Sequence, residues 1–164
     1  MRLYVLIPII CCHFLIHAQN NVCLTIEDNP NTTVSGLGLF TKYVNVLDCF
    51  SIYAESSIAD EKVLHAAAVA AELLDNDENG FVDDEDLKTA LQSSAALIPI
   101  FSQENSNTEN QFFTQYNGDG AAAVLYNNEM SPMQTGYWGS DATVEEVIHV
   151  INAVGHTSIY PNAF

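Results

Sequence analysis

The sequence is poor in basic residues. Only 4 of its 164 residues are lysine or arginine, against 21 aspartates and glutamates, so its formal net charge at pH 7 is -17. Proteins hold nucleic acids and anionic membranes largely through lysine and arginine contacts to phosphate. The composition therefore excludes a nucleic-acid partner and argues against a membrane surface. It suits a protein that binds multivalent cations or basic partners.

The sequence also lacks an apolar run of the roughly 20 residues that a membrane-spanning helix needs. Its longest apolar stretch is Leu3–Ile16, which follows the single charge of Arg2 and is followed by the small residue Ala18 and a polar segment. This build predicts a secretory signal peptide over residues 1–18, the alternative being an uncleaved anchor. We expect the mature protein to be residues 19–164, extracellular and free of the membrane.

Cysteine is scarce outside the predicted signal peptide. Only Cys23 and Cys49 follow it, and in an oxidising compartment their obvious fate is one disulfide bond. Two isolated cysteines do not form a zinc ribbon. Asn31 begins the sequon Asn-Thr-Thr, which predicts N-glycosylation; an unmodified asparagine is the alternative.

What the chain does have is one acidic stretch, residues 75–86, which reads DNDENGFVDDED. Gly80 is its sixth residue, where a side chain would obstruct a sharp turn, and Phe81 would offer its backbone carbonyl. The stretch resembles the EF-hand calcium loop. The resemblance implies that calcium is bound by side-chain oxygens at positions 1, 3, 5, 9 and 12, namely those of Asp75, Asp77, Asn79, Asp83 and Asp86.

The last of these positions departs from the EF-hand pattern. Asp86 stands where a longer glutamate is usual, so weaker calcium binding or more tolerance of magnesium is expected. The alternative for the whole stretch is a solvated turn, because aspartate, asparagine and glycine favour turns for reasons unrelated to metals.

The flanks of the acidic stretch have helical character. Residues 60–74 contain strong helix formers and no glycine or proline, and residues 84–97 form a second helix that Pro99 ends. The EF-hand unit would therefore span about residues 60–97. No second loop of this kind accompanies it: residues 117–120 read NGDG, but the next three residues are alanines, which supply no side-chain oxygen. A lone hand would lean on the rest of the fold, on a protein partner or on a second copy of the chain.

A second candidate site lies near the C-terminus, in the predicted helix VEEVIHVINAV that ends at Gly155. Glu145 and Glu146 lie four and three residues before His149, on one helical face. If this helix packs against residues 60–74, His65 could join Glu146 and His149 around zinc or iron, with Glu145 as a candidate base acting on metal-bound water. A surface Glu–His pair or a core histidine is the alternative.

The segments TKYVNVL, IYAESSIADEKVLHAAAVAAELLDNDENG and EEVIHVINAVGHTSIYPNAF together resemble a group of poorly characterised proteins with a terminal Glu-Glu-x-x-His helix. No established activity comes with that resemblance. It implies only that His65, Glu146 and His149 belong to one site.

The remaining segments complete the expected fold. Residues 43–54 are rich in β-branched and aromatic residues and predict one or two short strands, with another at residues 22–26. Residues 102–120 predict an irregular surface segment, and 121–126 a short strand or the start of a helix. We therefore expect a single α+β domain, dominated by helices, with a few short strands. The predicted function is a secreted calcium-binding protein with mainly structural calcium; the alternative is a secreted metal-dependent hydrolase.

Overall fold

The computed structural model describes residues 23–132 and 141–162. The predicted signal peptide therefore lies outside the described residues. The chain forms a single α+β domain, as the sequence predicts, in which helices cover both faces of one mixed sheet. The strands are β1 (Glu27–Asp28), β2 (Lys42–Val46), β3 (Phe50–Ala54), β4 (Leu97–Phe101) and β5 (Leu125–Tyr126). The main helices are α1 (Asp60–Leu74), α2 (Glu85–Ser93), α3 (Asn107–Gln115) and α4 (Thr143–Val150).

The five strands lie in the sheet in the order of the chain. β1, β2 and β3 are antiparallel neighbours, whereas β3, β4 and β5 run parallel. A tight turn joins β2 to β3, but a parallel pair needs a long crossover connection. Helices α1 and α2, with the acidic stretch between them, supply that crossover from β3 to β4.

Alternating side chains of the sheet build two cores. Ile52 in β3 and Ile98 in β4 face the larger core, which they share with buried residues of α1, α2 and α4. Their neighbours Tyr53 and Leu97 point to the opposite face, because successive strand residues alternate in direction. There they join Phe101 and the aromatic residues Phe40 and Phe112, whose rings lie 5.5 and 5.7 Å from that of Phe101, between centroids.

The first crossover helix agrees with its prediction. Helix α1 spans Asp60–Leu74, and the residues predicted to be buried on one face are buried: Val63, Ala66, Ala67, Ala70 and Leu74. The second helix is shorter than predicted. It ends at Ser93, and a buried strand begins at Leu97. Pro99 lies inside this strand, not at a helix stop.

Pro99 is tolerated there because of its place along the strand edge. The Leu97 amide donates to Gly120 O on the β5 side of β4, and Pro99 comes two residues later on that same edge. Strand β5 pairs only with Ile100 and Phe101. The missing amide proton of Pro99 therefore falls just before the ladder begins, and the sheet loses little from it.

Three further elements differ from the sequence predictions. The first strand lies at Glu27–Asp28, beyond the predicted residues 22–26. The polar segment 102–120 contains helix α3, which Ser106 caps by accepting a hydrogen bond from the Glu109 amide at 3.1 Å. The C-terminal helix does not end at Gly155: a π-helical turn, Ile151–His156, and a last α-helical turn, Thr157–Ile159, continue it.

Within the described residues, no helix is both long and apolar enough to cross a membrane.

Candidate functional site

The acidic stretch forms the turn of the β3–β4 crossover, between α1 and α2. Its backbone closes on itself where the Asp83 amide donates to Leu74 O at 2.9 Å. Gly80 adopts a φ of 89°, a conformation that glycine reaches without the strain a side chain would impose. The sharp turn expected at the sixth position is therefore present.

Asp75 is the structural centre of this loop. Its side chain is buried, with the residue 4% exposed, and its two carboxylate oxygens accept hydrogen bonds from two backbone amides. Asn79 N–H donates to Oδ1 at 3.0 Å and Gly80 N–H donates to Oδ2 at 2.7 Å. These bonds wrap the loop around one carboxylate and fix the positions of the residues that follow.

Two other aspartates join Asp75. Carboxylate oxygens of Asp75, Asp77 and Asp83 all lie within 4.8 Å of one another, although Asp77 and Asp83 are exposed. Asn79 lies in the same turn and its side-chain oxygen accepts from the Phe81 amide at 2.9 Å. Three carboxylates so close together repel one another, and a hard cation that takes oxygen ligands would relieve that repulsion.

Asp86 is not among these three aspartates. Helix α2 begins at Glu85, and its N-cap is Asp84, whose Oδ1 accepts from the amides of Asp86 and Leu87 at 2.9 and 3.0 Å. Asp86 therefore lies in the first helical turn, exposed, where its charge favours the positive end of the helix.

The loop is attached to the larger core on one side only. Val82 is 4% exposed, whereas Phe81 is 60% exposed. Helix α2 then packs against the π-helical turn, where Gly155 allows a close approach: a Cβ atom there would lie 2.4 Å from Leu87 Cδ1 and 3.1 Å from Leu91 Cδ2. Helix α2 and the C-terminal helix therefore support the same end of the loop.

The second candidate site lies on α4. Ligand atoms of Glu145, Glu146 and His149 all lie within 4.8 Å of one another. Nδ1 of His149 is 3.4 Å from Oε2 of Glu146, and the two side chains are 55% and 26% exposed. The helical spacing therefore brings two carboxylates and one imidazole to one surface, as predicted.

His65 does not complete this group. Its Nε2–H donates to Oδ2 of Asp141 at 2.7 Å, and Asp141 also accepts from the amide and the hydroxyl of Thr143 at 3.0 and 2.5 Å. Burial raises the pKa of Asp141, but the bonds from Thr143 and His65 outweigh it and hold that pKa below its usual value. The His65–Asp141 hydrogen bond joins α1 to the beginning of α4. The sequence analysis does not predict this structural role for either residue.

Asp141 and Glu109 are polar residues whose structural contacts sequence reasoning missed. Asp141 carries only the signal of a helix cap. Glu109 is 6% exposed in α3: its Oε1 accepts from the Tyr126 hydroxyl at 2.5 Å, and its Oε2 has no hydrogen-bond partner among the described residues. No local sequence pattern predicts the Glu109–Tyr126 pair, because it forms only when α3 packs beside β5.

The remaining predicted modification sites are placed as follows. Cys23 is exposed and Cys49 is buried, and both are free thiols in the structure, so the disulfide stays a prediction. Burial raises the pKa of the Cys49 thiol to about 11. The side-chain nitrogen of Asn31, to which a glycan would attach, donates to the Tyr53 hydroxyl at 2.6 Å.

Comparison of the chain with protein-family models, with curated proteins and with solved structures finds no match.

Proposed function

We propose that the protein is a secreted calcium-binding protein, in which one ion in the loop 75–86 stabilises the crossover between β3 and β4. The observation that carries this proposal is the group of three carboxylates, Asp75, Asp77 and Asp83, around a turn that Gly80 makes possible. All three are at positions where an EF-hand loop has its ligands.

The geometry favours a structural role for the ion. The loop is held by α1, by α2 and by the buried Val82, so binding and folding share the same contacts. Calcium outside cells is abundant enough to occupy sites with dissociation constants of about 10⁻⁴ to 10⁻³ M. A site with Asp86 in place of the usual, longer glutamate would still be occupied at extracellular calcium concentrations.

The hydrolase alternative has less support. It needs His65, Glu146 and His149 at one ion, with Glu145 as base, and His65 donates instead to Asp141. No observation on the described residues favours a reacting substrate at this place. We therefore assign the protein to the binding class.

Thermal unfolding with and without calcium tests the proposal. We expect calcium at 100 times its dissociation constant to add about 2.7 kcal/mol to the free energy of unfolding. Asp77→Asn should abolish most of this gain, because Asp77 is exposed and its loss harms the ion more than the apo fold. Magnesium, run in parallel, reports the selectivity of the site.

Asp119→Asn is the matched control, since Asp119 is also exposed and the change removes the same charge from outside the loop. If both variants gain as much stability from calcium as the natural protein, the loop is not the site. Isothermal titration of the same three proteins should give one calcium equivalent for the natural chain and for Asp119→Asn only.

A further inference from the structure

The acidic face of α4 has a donor set different from that of the loop. Glu145, Glu146 and His149 supply two carboxylate oxygens and one imidazole nitrogen within 4.8 Å of one another. Hard cations such as calcium take oxygen ligands, whereas imidazole nitrogen favours zinc and other divalent transition metals. Three protein ligands also leave coordination positions open for water, which distinguishes open zinc sites from closed structural ones.

The helix presents this face on a rigid support. Val147 and Val150 are fully buried in the larger core, so the opposite side of α4 turns to solvent. The His65–Asp141 bond fixes the beginning of the helix against α1. The π-helical turn follows directly after Val150, and such turns occur frequently at functional sites.

The surroundings of this face are strongly negative. Burial raises the pKa of Glu129, and the charges of Glu146 and Glu104 raise it further, against a backbone hydrogen bond from Tyr126 that lowers it. Glu129 follows β5, at the carboxyl end of the parallel strands. Lys62, the nearby cation of α1, already donates to Asn127 O.

The Glu109–Tyr126 pair is an independent sign of uncompensated charge at this end of the sheet. Burial raises the pKa of Tyr126, and the hydrogen bond to Glu109 and the charges of Glu109, Glu104 and Glu129 raise it further. Three further glutamates, Glu104, Glu109 and Glu129, therefore add negative charge near the α4 face. A bound divalent cation is what such an arrangement favours.

We propose that Glu145, Glu146 and His149 bind one divalent transition-metal ion of the zinc class, with water in the remaining positions. Glu145 is then a metal ligand, and His65 is a positioning residue that holds α4 through Asp141. This site is independent of the calcium loop, so either can fail without the other.

Cobalt(II) titration tests the site, because cobalt replaces zinc in nitrogen–oxygen sites and its visible absorption reports ligand geometry. The metal-stripped protein is titrated with saturating calcium present, which keeps the loop occupied. We expect one cobalt equivalent, displaced by zinc. His149→Ala and Glu145→Gln should each weaken binding at least about tenfold, because losing even a residue that only supports a metal ligand typically costs that much.

His156→Ala is the matched control, because it removes an imidazole from the same helical segment and should leave affinity and spectrum unchanged. Glu145 and His149 are exposed, so circular dichroism should show all variants folded. Equal cobalt affinity in His149→Ala and His156→Ala would overturn the proposal. So would the absence of any cobalt binding by the natural protein while its loop still binds calcium.

Discussion

The two acidic groups of this molecule differ in what holds their side chains in place. In the loop, the backbone does so: both oxygens of Asp75 accept amide hydrogen bonds, and the residue is buried. On α4, the spacing of an exposed helix does so, and the one hydrogen bond within the group is the 3.4 Å contact between His149 and Glu146. The loop carboxylate is therefore integrated into the hydrogen bonding of the fold, whereas the side chains on the α4 face lie on its surface.

This difference has an energetic meaning. A buried carboxylate that satisfies backbone amides cannot be removed without leaving donors unpaired, whereas an exposed side chain on a helix leaves only solvent behind. Mutations at the two places should therefore separate stability from metal binding.

The largest expected effect is that of Asp75→Ala without any metal. It leaves the Gly80 amide without its acceptor and the Asn79 amide with only its longer bond, 3.3 Å, to Asp77 Oδ1. The change should therefore lower the free energy of unfolding by about 2 kcal/mol. Urea denaturation in the presence of a chelator measures this. An unchanged midpoint would show that the carboxylate does not organise the metal-free loop.

A smaller loss of stability is expected when Asp141, the partner of His65 at the beginning of α4, is replaced. The folded pKa of Asp141 lies below its ordinary value of 3.8, so its stabilising contribution is present above about pH 4 and is lost as the pH falls further. Asp141→Asn should cost about 1 kcal/mol at neutral pH. Because the contribution is lost as the pH falls through the folded pKa of Asp141, the stabilities of the two proteins should converge toward acid pH. Chemical denaturation across pH 2–7 would show whether they do.

The smallest effect is expected for His149→Ala, which should change the free energy of unfolding by less than about 0.5 kcal/mol in the absence of metal. Its side chain is 55% exposed and makes one long contact. If the loss approached that of Asp75→Ala, the helix face would also be part of the fold and the contrast between the two groups would disappear.

The features that could be predicted from the sequence are those formed by residues close together along the chain. Helix α1 was predictable from its composition and periodicity, and the turn at Gly80 from its position in the acidic stretch. The clustering of Glu145, Glu146 and His149 follows from helical spacing alone. These features involve residues no more than a dozen positions apart.

The features that depend on contacts between residues far apart in the sequence were not predictable from it. The strand containing Pro99 reads as the end of a helix, and only its place beside the short strand β5 explains why proline fits. His65 could have faced any polar group across the α1–α4 contact, and its partner proved to be Asp141, 76 residues away. Helix α3 was hidden by a polar composition that packs on the sheet mainly through Phe112.

The crossover between β3 and β4 has a kinetic consequence. The β2–β3 hairpin turns over three residues, with Leu47 and Asp48 at positive φ, and hairpins close in about 1–10 μs. The parallel half of the sheet must wait until residues 55–96 have folded back, because distant pairings are slow. Calcium that binds during this closure would accelerate folding, whereas calcium that binds afterwards would only slow unfolding. Stopped-flow folding and unfolding rates at two calcium concentrations would therefore show whether the loop forms before or after the rate-limiting step of folding.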